Sequence, residues 1–352
     1  MGLPTLTTIR RRDDSPAGPT PSQADRHRTT GLSRAPDKGN LPRHRWANWA
    51  RWTLLVAIAL MATFAVRSSW SDIRSELNEL SLAAIVASSL AFAVSWALQY
   101  VAWRRMLQAI GGRWRGATDG LSTFSAAQLG KYLPGAVWPA LIQADLGRRH
   151  GLGWRTMLAG YSLLLLISAA TGTATGLLVL TGTPPNWVKL AVVVTALLGA
   201  SITWAAVSPS RAHRWIDWIL TRFTGTGLPQ AMHGPDSVRA ALVVGVSWLF
   251  NGLHAWFIAW QLGAAWSEFG LVVGGFAFAT IAGLVVVPLP AGLGVREAVL
   301  VATLGAAIGR PGAITVALVS RFLQVLFDIV VAALAGGASL IGSRTSERRT
   351  RQ

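Results

Sequence analysis

The chain contains no cysteine, which excludes disulfides, thiolate metal sites and cysteine nucleophiles. Charge is scarce. Asp, Glu, Lys and Arg make up 13% of its 352 residues, about half the share usual in globular proteins. Acidic residues are the scarcer kind, 15 against 32 Lys plus Arg, for a net charge of +17. No P-loop, metal-spaced His/Glu motif, nucleophile elbow or paired Asp-rich cluster occurs. The missing phosphate loop argues against ATP-driven transport by this chain alone. The missing constellations lead us to expect no enzyme, no metal and no cofactor. The basic excess lacks the aromatic-interleaved basic fold of nucleic-acid binders, so nucleic acid is not an expected partner.

What the chain has is long apolar runs. It is 52% hydrophobic with a mean hydropathy of +0.42, and its charges gather at the ends and in short connectors. This pattern predicts an all-α polytopic membrane protein. Lys and Arg then sit in cytoplasmic tails and loops by the positive-inside rule. Residues 1–45, rich in Pro, Ser, Thr and Arg, read as a disordered basic cytoplasmic tail. Residues 46–342 form the transmembrane domain, and 343–352, with Arg344, Arg348, Arg349 and Arg351, a second basic tail. The expected location is the plasma membrane, multi-pass, with both termini cytoplasmic. About six full spans are expected, near 49–66, 82–103, 157–180, 187–207, 238–262 and 314–341. Within the third, Gly172-x-x-x-Gly176 permits close helix approach, for packing within the bundle. A connector stretch, Arg211 to Phe223, has the amphipathic pattern of an interfacial helix.

Two segments do not fit simple spans. Ala117 to Asp145 is moderately apolar, contains Lys131, Pro134 and Gly135, and has basic residues on both sides. With both ends cytoplasmic it must enter and return, as a re-entrant hairpin; an amphipathic surface helix is the alternative. Phe269 to Gly309 contains LVVVPLPAGLGVREAVL, residues 284–300. There Pro288 and Pro290 remove backbone donors, while Gly292 and Gly294 permit angles other residues resist. With six spans and both termini inside, this segment must start and end outside. Two Pro/Gly-broken hairpins approaching from opposite faces suggest an inverted repeat with a binding site between them.

Ionisable residues inside a membrane mark functional sites. Arg296 and Glu297 start the helix that follows the second break. Free amides and the positive dipole end there favour an anion, and Arg296 adds a charge suited to phosphate. Glu297 either pairs with Arg296 or balances a ligand's charge; a structural ion pair is the competing reading. Ser247, Asn251 and His254 share one helical face, as do Arg321, Gln324 and Asp328. Arg321, Asn251 and His254 are expected along a substrate path, though His254 equally suits polar packing. Arg321 and Asp328 pair with each other or with Glu297 and Arg296. Lys131 either snorkels to the surface or meets a headgroup.

PLPAGLGVREA, Pro288 to Ala298, resembles the Pro-x-Pro-x-Gly-x-Gly-x-Arg-Glu-like element of the flippase-like family, the membrane region of lysylphosphatidylglycerol synthases and its stand-alone relatives. Gly130-Lys131-Tyr132-Leu133-Pro134-Gly135 supports the resemblance, which covers about residues 50–341. It implies a helical bundle with re-entrant elements that translocates lipid or polyprenyl-phosphate-linked substrates. The aminoacyl-transferase domain of the two-domain synthases follows their membrane region. Here about ten residues follow the last span, so lysyl transfer is not expected. The leading expectation is a flippase-like protein that translocates or binds an anionic phospholipid or polyprenyl-phosphate-linked lipid. Its partners would be membrane lipids, lipid-linked glycan precursors or cell-envelope enzymes. A membrane-embedded glycosyl- or acyl-transfer enzyme with Glu297 as base is the second reading, and a non-transporting scaffold for cell-envelope synthesis the third.

Overall fold

The structure, a computed structural model, describes residues 70–112, 117–133, 137–194, 234–285 and 292–350, with isolated positions between 214 and 222. Contacts divide the chain into Met1–Trp49, outside the described residues, and Ala50–Gln352, which holds every element below. Among the described residues all regular structure is helical. The expected first span, most of the fourth and of the amphipathic connector stretch, and Pro134, Gly135, Pro288 and Pro290 lie outside them.

Helix α1, Trp70–Glu79, lies between the expected first and second spans and packs against the last helix. Helix α2, Leu82–Ala109, starts at Ser81, whose hydroxyl accepts from the Ala84 amide at 3.2 Å, an ordinary N-cap. Helices α3, Ala117–Gly130, and α4, Trp138–Arg149, form an antiparallel pair. At its open end His150 approaches Asp119 at 3.4 Å. At its tip a Cβ on Gly130 would lie 3.0 Å from the Pro139 nitrogen. Helix α5, Trp154–Gly176, tightens into a 3₁₀ turn, Leu177–Thr181, and residues 186–194 form α6. Helices α7, Gly234–Gln261, α8, Phe269–Val285, and α9, Val295–Thr350, complete the order.

The continuous helical run of α9 is a hairpin. Ile308 (φ −118°, ψ 15°) and Gly309 (φ 72°, ψ 163°) leave helical geometry, and Pro311 follows. A straight helix would separate residues 297 and 321 by about 36 Å, yet their side chains form a 2.7 Å ion pair. Arg296 likewise reaches Gln324. Both pairs centre on residues 309–310, so the limbs run antiparallel about Gly309. The expected boundary between the Phe269–Gly309 segment and the last span is therefore where the chain turns.

Five stretches among the described residues are long and apolar enough to cross a membrane: Leu82–Ala109, Trp154–Thr181, Val238–Gln261, Trp266–Leu284 and the folded-back Val295–Ser339. Limbs α3 and α4, 14 and 12 residues, extend about 21 and 18 Å, less than the roughly 30 Å hydrocarbon core. This is the length a broken, returning hairpin requires. Leu82, Leu242, Phe322 and Leu334 are all well exposed, as lipid-facing positions are.

Helix α8 is the most enclosed span. Small residues let its neighbours close on it. A Cβ on Gly252 of α7 would strike Val273, and one on Gly172 of α5 would strike Trp248 and Ile281. The expected small-residue motif thus packs within the chain. Two apolar clusters result. One joins Phe92, Trp96, Trp103, Phe124, Leu163, Trp248 and Ile281; the other joins Val179, Trp256, Val272, Phe276, Leu300 and Val316. Along α7 the first ends at Trp248 and the second begins at Ala255. Asn251 and His254 lie between them, near the middle of the span.

Candidate functional site: a cationic cavity between two hairpin tips

A cavity of about 260 Å³ opens where the two hairpin tips meet. Lys131, Tyr132 and Leu133 come from the α3–α4 tip, and Leu284, Gly292 and Arg296 from the α8–α9 tip. The second tip is set by backbone contact. Gly292 has φ 66°, and a Cβ there would collide with the backbone of Gly283. Only glycine satisfies both conditions. Glycine against glycine brings the start of α9 onto α8 and so places Arg296 on the cavity wall.

At that helix start Gly294 is the N-cap and Glu297 the third helical residue. Glu297 Oε2 accepts from the Gly294 amide at 2.6 Å, half of a capping box. Its Oε1 accepts from Arg321 Nη1 at 2.7 Å. The carboxylate therefore caps one limb of α9 and ties it to the other. Arg296, its neighbour, points elsewhere. It is 8% exposed, donates from Nη1 to Gln324 Oε1 at 2.8 Å, and lies 4.6 Å above the Phe276 ring, a cation–π distance. Gln324 passes the contact on, donating to Asn251 Oδ1 at 3.3 Å. Arg296 Nε and Nη2 are buried with no partner among the described residues. Buried donors normally find one, so the site is poised for an acceptor.

The facing tip carries the other ion pair. Asp328, fully buried, receives Lys131 at 2.7 Å and the Tyr132 hydroxyl at 2.8 Å, both on Oδ2. Of the pairings the sequence left open, Arg321 with Glu297 forms; Asp328 instead takes Lys131, a pairing the sequence did not suggest, and Arg296 and Glu297, though adjacent, form no ion pair with one another among the described residues. Lys131 is thus held by an internal carboxylate while still lining the cavity.

Arg296, Arg321, Asn251 and Lys131 all line the cavity, as does Gly292. Glu297 and His254 are absent from its wall. His254 is fully buried and cross-links three helices. Ser88 Oγ donates to the His254 carbonyl at 2.9 Å, so the hydroxyl oxygen accepts from Nδ1–H at 2.7 Å. Nε2 faces the Ser320 carbonyl at 3.3 Å. This is the polar-packing alternative. Trp96, Gln99, Gln128 and Gln143 are wall residues that sequence reasoning passed over. Phe92, Trp96 and Gln99 recur at spacings of four and three on α2, a signal that was legible but hidden in an apolar run. Among the described residues no group of three or more His, Cys, Asp or Glu side chains is placed to hold a metal.

The sequence model described as "Lysylphosphatidylglycerol synthase TM region" matches residues 51–332. That range contains both hairpin tips and every described residue of the cavity wall. No curated protein matches the chain.

Proposed function

The chain belongs to the lysylphosphatidylglycerol synthase transmembrane-region family, and from that premise we propose that it is a lipid flippase-like protein that holds an anionic headgroup in the cavity between its hairpin tips. A membrane role in lipid or cell-envelope biology follows from the family and the apolar helices. The observation that carries the finer reading is Arg296, a buried guanidinium on the wall of a mid-bundle cavity, with two nitrogens unpartnered among the described residues. Desolvated and held by Gln324 and Phe276, it offers a phosphate oxygen a charge-assisted hydrogen bond. Tips that meet at one cavity suit a site served from both faces of the bilayer. The location in this reading is the plasma membrane, with both termini cytoplasmic.

The transfer-enzyme alternative gains less support. Glu297, its proposed base, has both oxygens engaged and does not line the cavity. A scaffold role would leave the buried cationic site without a purpose.

Reconstituted liposomes test the proposal through transbilayer movement of fluorescent anionic lipids. The wild-type chain should move at least one headgroup class. Arg296→Ala should slow that movement about tenfold or more, the worth of a lost charged hydrogen bond. No movement of any lipid tried, or equal movement by the variant, would sink the proposal.

A further inference from the structure

The two carboxylates near the tips are held in unlike ways. Glu297 has a side chain 22% exposed and accepts from the Gly294 amide as well as from Arg321. It keeps a donor even when Arg321 leaves. Asp328 is fully buried, and both its partners come from the α3–α4 tip: Lys131 and the Tyr132 hydroxyl, on Oδ2. Its Oδ1 is buried with no partner among the described residues. Without Lys131 the carboxylate is left with one neutral donor. A buried charge in that position is relieved by binding a proton.

Lys131 is the cation able to leave. Arg296 is fixed by Gln324 and the Phe276 ring, and Arg321 by Glu297. Lys131 has a flexible four-carbon stem, is 34% exposed at its side chain and lines the same cavity as both arginines. An anion in that cavity competes with Asp328 for it.

No other ionisable group nearby takes its place. Arg321 and Arg296 act on the adjoining Tyr132 through their charge, yet neither is paired with Asp328. His254 of α7 meets the same limb of α9 at the Ser320 carbonyl. Helix α2 packs Phe92 and Trp96 on Phe327, with Tyr100 stacked beyond Trp96. Helix α1 lies against α9 and carries Arg74, Glu76 and Glu79, none of them paired with Asp328.

Resting on the anionic-ligand reading above, we infer that the site takes up a proton together with its anion, and that Asp328 is where the proton binds. The anion replaces Asp328 as the partner of Lys131. The proton replaces Lys131 as the partner of Asp328. The Lys131–Asp328 contact breaks, an O–H bond forms on Oδ1 with a proton drawn from water, and Oδ2 goes on accepting from Tyr132. One negative and one positive charge enter together, so the charge of the site does not change. A proton gradient across the membrane then drives movement of the anion.

The purified full chain, in phosphatidylcholine nanodiscs, is titrated separately with short-chain, water-soluble phosphatidylglycerol and phosphatidylinositol. Both are strongly acidic phosphodiesters whose charge stays constant near neutral pH. Calorimetry in buffers of different ionisation heat counts the protons taken up per lipid bound. Between about pH 8 and about pH 5 the inference expects uptake approaching one proton, and an affinity that rises on acidification towards the linkage limit of about tenfold per pH unit. Asp328→Asn, a neutral stand-in for the protonated acid, should bind with no proton uptake and with one affinity across the range. Binding by the wild-type chain without proton uptake overturns the inference and leaves the anionic site standing. So does uptake that persists in Asp328→Asn, which would put the proton on another group such as Glu297 or His254. Should Asp328→Asn not fold, Lys131→Gln gives the same reading: with no lysine to release, uptake should vanish, and its persistence overturns the inference. Binding of neither lipid above the phosphatidylcholine background counts against the anionic reading and takes the inference with it.

Discussion

At the scale of single residues, the site is an asymmetric arrangement of charges. Arg296 keeps two nitrogens without partners among the described residues, while Asp328 gathers Lys131 and Tyr132 on one oxygen. The cost of breaking the second group depends on what is left behind. Lys131→Ala strands a fully buried carboxylate beside a lone hydroxyl, and loss of one partner of a buried pair costs on the order of 3 kcal/mol. Tyr132→Phe leaves the ion pair in place and should cost about 1 kcal/mol. Unfolding midpoints in one detergent should therefore fall further for Lys131→Ala; an equal or smaller fall would show that the pair does not anchor the tip. Which cation would meet which carboxylate was not legible in the sequence. Spacing placed Arg321 and Asp328 on one helix face. The choice of partner depended on the fold-back at Gly309, which carries Arg321 to Glu297.

At the scale of elements, the chain works through hairpins whose turns are fixed by backbone. The contact between Gly292 and Gly283 sets where α9 begins and hence where Arg296 sits. Gly292→Ala must accept a positive φ at about 1–3 kcal/mol and also displace α8. Gly305, in the same limb, faces open space, and Gly305→Ala should stay neutral or gain up to about 1 kcal/mol from helix propensity. Melting both variants side by side checks this. A Gly292→Ala protein as stable as Gly305→Ala would mean the turn is not held by glycine contact. The broken segments themselves were legible, because paired Pro and Gly inside apolar runs admit few other readings. The role of Glu297 was not. Its sequence neighbour suggested an ion pair with Arg296, whereas its position three residues past Gly294 makes it a cap.

For the molecule as a whole, the basic tails predict that both termini face the cytoplasm. A chain without cysteine makes the measurement direct. Single substitutions Ser22→Cys and Ser346→Cys should each resist an impermeant thiol reagent in intact cells and react once the membrane is opened. Labelling of either in intact cells would reverse the topology and, with it, the direction from which each hairpin enters. The amino-acid sequence by itself determined that the chain is a helical membrane bundle, where its helices break and which family it resembles. These follow from apolar run length, backbone chemistry and local motif, all of which act over a few residues. Tertiary structure decided that the two tips share one cavity, that His254 packs rather than lines it, and that Trp96 and a set of amides join Arg296 on the wall. Those outcomes depend on which faces of helices distant in sequence come to meet, and no local pattern encodes that meeting.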